Sequence, residues 1–173
     1  YKVDPEKKPW ACTGWKPGDD PKKRGIINSI YIDTETLAVH NDELQAMYKQ
    51  VTANELMWEE YNCENAEYII TAFGTVARIA KSAINELKEK GIHVGLVRPI
   101  TVWPFPYDAV AKAVNQPSVK AVLDVELNEG QMLEDVKLAV CGTKPIDFTG
   151  HCGSQMPTTD EIVEKILSMK EGK

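Results

Sequence analysis

The sequence predicts an α/β domain of three layers, a mostly parallel sheet with helices on both faces. Three observations carry that expectation. From about residue 65, short apolar runs of strand length alternate four times with segments of helical period. In one of those segments Val76, Ile79, Ala80, Ala83, Ile84 and Leu87 recur at helical spacing and form one apolar stripe. The last segment opens with Thr158-Thr159-Asp160-Glu161 behind Pro157, the pattern of a capping box. Strands joined through helices pair in parallel by right-handed crossovers, which places helices on both faces.

Taken in order, residues 1 to 24 carry Pro5, Pro9, Pro17 and Pro21 with Gly14 and Gly18, a composition that resists regular structure. Trp10 and Trp15 are unusual in a solvated linker, so this arm is expected to lie against a surface. GIINSIYID (25 to 33) reads as a strand. From Asn41 a polar helix is expected to run to about Tyr61, with Leu44, Met47, Tyr48, Val51 and Trp58 on one side and His40 helping to start it. YIITAF (68 to 73) is a buried strand, Gly74 turns the chain, Thr75 caps the striped helix and Gly91 stops it. HVGLV (93 to 97) follows as a strand, with His93 read as a core histidine. A proline-rich turn, RPITVWPFP, then leads to a helix from Asp108 to about Asn115. VKAVLDVE (119 to 126) is a strand, Glu129 to Val140 a helix and PIDFT (145 to 149) a strand. The final helix buries Ile162, Val163, Ile166 and Leu167. The domain expectation is a connector arm over 1–40, a linking helix over 41–64 and the α/β domain over 65–173.

Length and composition narrow the function. A chain of 173 residues holds one compact domain and an extension. Net charge is −6, with no basic block, which argues against electrostatic nucleic-acid binding. No apolar run approaches the ~18 residues of a membrane span. The opening YKVDPEKKPW has neither an initiator Met nor the apolar core of a signal peptide, and is read as the start of a piece cut from a longer protein. Cys12, Cys63, Cys141 and Cys152 form no C-x-x-C pair, so no zinc or iron–sulfur ligand run is expected, and reduced thiols place the chain in the cytoplasm.

In an open α/β sheet, ligands gather at the carboxyl ends of the strands. Those ends bring Arg98, Glu126, Asn128, His151 and Cys152 to one edge, with Gln131 in the helix that follows. A polar edge buried against a neighbouring domain fits these residues better than a catalytic pocket, because no complete catalytic set accompanies them. Gly74-Thr75 opens a helix without a phosphate-loop pattern. His151-Cys152 lacks a nucleophile elbow, and neighbours in extended chain point apart. Glu126 and Glu129 are a possible carboxylate pair, yet Asn128 and Gly130 read equally well as turn residues. Trp103, Phe105 and Tyr107 alternate with Pro104 and Pro106, an aromatic turn suited to packing or a partner surface.

VGLVRPITVWPFP (94 to 106), ELNEGQMLEDV (126 to 136) and FTGHCGSQMPTTDEI (148 to 162) together resemble the alpha subunit of 2-oxoacid:ferredoxin oxidoreductases. The similarity extends through AEYIITAFGTVARIAKSAI, and the arm DPEKKPWACTGWK with RGIINSIY looks most like the branched-chain, 2-oxoisovalerate type. The resemblance implies a transketolase C-terminal-like domain within a thiamine diphosphate enzyme that converts a 2-oxo acid to an acyl-coenzyme A and passes electrons through iron–sulfur clusters to ferredoxin. It implies other subunits as partners and places the cofactors on other domains and chains, with none in this one. Ferredoxin and coenzyme A would then be engaged only through the complex, in keeping with the acidic balance of this chain. Where related chains read G-R-x-G-G, this one has Gly150-His151-Cys152-Gly153-Ser154, an imidazole in place of a permanently charged guanidinium. The implied role is in assembly, with Arg98, Glu126, Asn128, Gln131 and His151 as edge or interface residues, no catalytic, cofactor-binding or metal residue, and no activity alone. The competing readings are a stand-alone α/β module binding an anion or a protein, and a thiol hydrolase built on Cys152.

Overall fold

Four parallel strands and one antiparallel strand form a single sheet in the order β1-β3-β2-β4-β5. These are β1 (Trp58–Tyr61), β2 (Tyr68–Thr71), β3 (Val94–Pro99), β4 (Ala121–Glu126) and β5 (Ile146–Gly150). The structure, a computed structural model, describes residues 16–20, 29–153 and 155–172. It divides into two units, Tyr1–Ala46 and Met47–Lys173.

In the first unit Lys16 and Asp19 close a short turn. Asp33 caps the start of α1 (Thr34–Asn54) by accepting from the Thr36 N–H at 2.8 Å and the Thr36 hydroxyl at 2.5 Å. That cap starts the helix seven residues before the expected Asn41, so His40 lies inside α1, stacked on Tyr31 with ring centroids 4.7 Å apart. Apart from 16–20, the arm expected over 1–24 lies outside the described residues, Trp10 and Trp15 included. So do residues 25–28 of the expected strand over 25–33, and residues 29–33 form no strand.

The second unit contains the sheet. Here the expected helix to Tyr61 is overturned: α1 ends at Asn54, and Trp58–Tyr61 pairs antiparallel with β3 in the register Trp58↔Pro99 to Tyr61↔Leu96. Backbone pairing along the β3 edge outweighs the helical spacing of the side chains, a tertiary effect that local periodicity does not carry. The linking segment over 41–64 is therefore a helix followed by a strand of the sheet. No residue of α1 is buried, and of its expected apolar stripe Tyr48 makes an aromatic contact, edge-on to Trp103.

The four remaining strands stand where alternation placed them. β2 aligns Tyr68 with Val94 of β3 and Ala121 of β4, and β4 runs alongside β5 to the pair Glu126↔Gly150. Every residue of β2 and β4 is buried, as expected for parallel strands covered on both faces. One face packs under α2 (Gly74–Glu89) and α5 (Thr159–Glu171), with Ile70, Leu96, Leu123, Ile84, Leu87, Ile162 and Ile166 in one core. The other packs under α3 (Tyr107–Val114) and α4 (Gln131–Val140), with Ile69, Val97, Val122, Val110, Met132 and Val136 in a second core.

The helix ends follow local chemistry. α2 buries five of the six predicted stripe residues and half-buries Ile79. Phe73 rather than Thr75 holds its cap position, since the chain turns directly into the helix at Gly74. Gly91, at φ 75°, stops it. α5 carries the full capping box: Thr158 Oγ1 accepts from the Glu161 N–H at 3.2 Å, and the Thr158 N–H donates to Glu161 Oε2 at 2.7 Å. His93 precedes β3 and is exposed, which corrects its reading as a core histidine. Only its carbonyl is engaged in the sheet, accepting from the Glu67 N–H at 2.7 Å.

Candidate functional site at the carboxyl edge of the sheet

Parallel strands β3, β2, β4 and β5 all end on one edge, and the predicted site residues stand there. Glu126 ends β4 fully buried, at 0% exposure. A carboxylate at that depth needs donors, and it has three. Oε2 accepts from the Met132 N–H and from Asn128 Nδ2, and Oε1 accepts from the Leu133 N–H, each at 2.9 Å. Asn128 Oδ1 in turn accepts from the Gly130 and Gln131 N–H groups at 2.8 Å. Gly130, at φ 98°, makes the left-handed turn that lets this loop fold back. The first three amides of α4 are thus satisfied by two side chains from the strand and loop before it. Glu126 and Glu129 do not act as a pair: Glu126 is buried on the helix start, and Glu129 is exposed.

The loop is tied to β5 by the His151 N–H, which donates to the Glu126 carbonyl at 3.3 Å. The His151 imidazole turns the other way, with Nε2 3.0 Å from Glu161 Oε1. Together with its Thr158 bonds, this keeps the Glu161 carboxyl below the ordinary carboxylate range, the Thr158 N–H contributing most. Cys152 is exposed, and neighbouring Glu129 raises its thiol pKa, the opposite of what activates a nucleophile. Cys63, buried behind β3, has its thiol pushed up to about 11 by burial. Arg98 is not joined to the β4 loop: its Nη1 meets Glu59 Oε2 of β1 at 3.2 Å, and Lys81 meets the other oxygen at 2.5 Å. These cations, Lys81 foremost, lower the Glu59 pKa. Structure therefore links Glu126, Asn128, Gln131 and His151 through loop and helix start, and leaves Arg98 in a separate ion cluster.

Two residues that sequence reasoning passed over lie directly beneath. Asp124 shares the strand face of Glu126, is 0% exposed, and accepts from the Thr71 hydroxyl at 2.6 Å. Its Oδ2 has no hydrogen-bond partner. An acidic residue two places before Glu126 inside an apolar strand was the available signal, since period two places both on one face.

Around this polar centre the edge is apolar. Ile100, Val102 and Trp103 after β3, Leu127 after β4 and Met156 after β5 are exposed, Trp103 by 59%. Tyr48 packs edge-on to Trp103, with centroids 5.4 Å apart. Phe105, in contrast, is buried and stacks edge-on with Tyr107. Among the described residues, no group of three or more His, Cys, Asp or Glu is placed to hold a metal ion.

Residues 66–162, more than half of the chain, match the family described as pyruvate:ferredoxin oxidoreductase core domain II. The chain belongs to the 2-oxoacid:ferredoxin oxidoreductase family. Among curated relatives, the ketoisovalerate oxidoreductase subunit VorB of Methanothermobacter thermautotrophicus is 32% identical over 91% of this chain and 43% of its own length. The chain thus spans less than half of such relatives. Two solved structures share the fold. A 2-oxoglutarate:ferredoxin oxidoreductase from Magnetococcus marinus, with 2-oxoglutarate, coenzyme A and succinyl-CoA bound, aligns at TM-score 0.68 and 18% identity, covering 88% of this chain and 27% of that one. A split-gene transketolase aligns at 0.51 and 16%, covering 61% and 38%. At those identities they show the fold of this oxidoreductase domain and nothing finer.

Proposed function

We propose that this chain is the transketolase C-terminal-like domain of the alpha subunit of a thiamine diphosphate-dependent 2-oxoacid:ferredoxin oxidoreductase of the ketoisovalerate type, and that its carboxyl edge serves assembly rather than chemistry. One observation supports this reading above the others. Four of the edge's polar side chains are engaged within the chain, Glu126 and Asn128 on α4, His151 on Glu161 and Arg98 on Glu59, while the apolar side chains beside them stay exposed. A polar centre with internal partners and an apolar rim suits a packed interface.

The cofactor belongs elsewhere in the complex on the same grounds. α4 has no free amide at its start to receive a diphosphate, because Asn128 and Glu126 accept from all three of its first N–H groups. We place the iron–sulfur clusters, ferredoxin docking and coenzyme A on other domains or subunits, the acidic balance of this chain being unsuited to attracting acidic or anionic partners. Residues 65–173 with β1 form the packed domain, and the preceding residues connect it to the rest of the subunit. The complex works in the cytoplasm.

The test is Trp103→Asp in the whole oxidoreductase, read by sedimentation and by steady-state turnover. The proposal expects loss of assembly, with residual assembled enzyme keeping its KM for the 2-oxo acid. Full assembly with a reduced kcat would refute it and assign the edge a part in the reaction.

A further inference from the structure

Asp124 and Glu126 stand two residues apart on one face of β4, both at 0% exposure. Glu126 receives three N–H donors at the start of α4. Asp124 receives only the Thr71 hydroxyl, on Oδ1, while Oδ2 is buried without a donor. Two anionic carboxylates side by side in a dry interior, with no cation between them, repel strongly. A proton on Oδ2 removes the repulsion, and gives the orphaned oxygen a donor to offer Glu126.

Among the described residues, the surroundings supply no competing charge. On β5, Asp147 pairs with Lys165 of α5. On β3, Arg98 pairs with Glu59. On α4, Asp135 takes the Tyr107 hydroxyl and Glu134 pairs with Lys137. Asp108 and Lys112 of α3 and Glu129 of the loop are exposed, and His151 faces Glu161. Glu126 is the one charged group among the influences on Asp124.

We propose that Asp124 is a neutral carboxylic acid in the folded protein, that its proton is shared with Glu126, and that this proton holds the start of α4 and the 127–130 loop in place. Burial first, then Glu126, raises the Asp124 pKa to about 8 against an ordinary 3.8, while the Thr71 bond lowers it. The sign follows: a carboxyl raised in the folded state stabilises fully below about 3.8, and that stabilisation falls as pH rises and is gone above about 8. The edge is therefore built to loosen across the neutral range. Its clamp is a single proton.

Hydrogen exchange of the Met132 and Leu133 amides, followed by NMR on the whole chain from pH 6 to 9, tests this. In the wild type the opening constant of both amides, after correction for intrinsic exchange, is expected to rise about tenfold per pH unit from 6 to 8 and then level. In Asp124→Asn, which keeps a donor facing Glu126 and cannot ionise, it is expected to stay flat. Thr71→Val keeps both carboxyls and removes the bond that lowers the pKa, so the levelling point should move up. A flat wild-type curve or an equal rise in Asp124→Asn overturns the proposal, as does an unmoved or lowered levelling point in Thr71→Val should the Asn variant fail to fold.

Discussion

The Leu133 N–H donates to Glu126 Oε1 at 2.9 Å across seven residues of sequence, so a strand-end carboxylate serves as the cap of the helix that follows it. With the Met132 N–H on the other oxygen, this fixes how α4 leaves the sheet. Glu126→Ala leaves the buried Met132 amide and the half-buried Leu133 amide and Asn128 Nδ2 without their acceptor, and should lower stability by about 2–4 kcal/mol. Glu126→Gln, which keeps one carbonyl oxygen, should cost less. Urea unfolding of the two variants at pH 7 checks both the size and the order.

Gly150 ends β5 opposite Glu126, and a Cβ built there stands on the Asn128 carbonyl oxygen and the Phe148 ring. The neighbour that must yield is backbone of the loop that Asn128 organises. Gly150→Ala should therefore destabilise by about 2 kcal/mol. It should also raise amide exchange at Gly130 and Gln131, whose N–H groups bond to Asn128. Unchanged melting temperature and exchange would show that the loop moves aside freely.

At the start of α5, Thr158→Ala removes one arm of the capping box and should cost about 1 kcal/mol. Glu161 supplies the other arm, and its pKa is lowered by the Thr158 bonds and His151. A lowered carboxyl contributes above its ordinary 4.5 and loses that contribution as pH falls through its folded value. The difference in melting temperature between wild type and Glu161→Gln should thus be present at pH 6 and shrink towards pH 3.

Thiol reactivity separates the interface reading from a hydrolase. Cys152 is exposed but raised by Glu129, and Cys63 is buried and raised to about 11. With a thiol-reactive probe at pH 7.5, Cys152 should label more slowly than a free thiol, Glu129→Gln should speed it, and Cys63 should label last. Selective fast labelling of Cys152 would favour the thiol enzyme instead.

Much of this molecule is legible in its sequence because parallel strands and their helices leave strong local signals. The stripe from Val76 to Leu87, the glycine stop at Gly91 and the capping box at Thr158 each depend on residues within one element, and each stands as read. Trp58–Tyr61 failed because its partner is Val97 to Pro99 and Leu96, far along the chain, and nothing in WEEY announces that edge. Asp33 was a missed cap three residues before Thr36. At the site, grouping by strand ends brought Glu126, Asn128, Gln131 and His151 together but also included Arg98, whose partners Glu59 and Lys81 come from the misread strand and from α2. Asp124 carries one sequence signal, an acid inside the apolar run of β4, but its bond to Thr71 on the neighbouring strand comes from strand pairing, which the local sequence does not carry.

The most direct test of the central claim is an assay of this chain alone with 2-oxoisovalerate, thiamine diphosphate, coenzyme A and a dye acceptor. The edge residues being engaged in holding α4, β5 and the ion cluster, the expected result is no dye reduction above background. Turnover that depends on the 2-oxo acid would contradict the account.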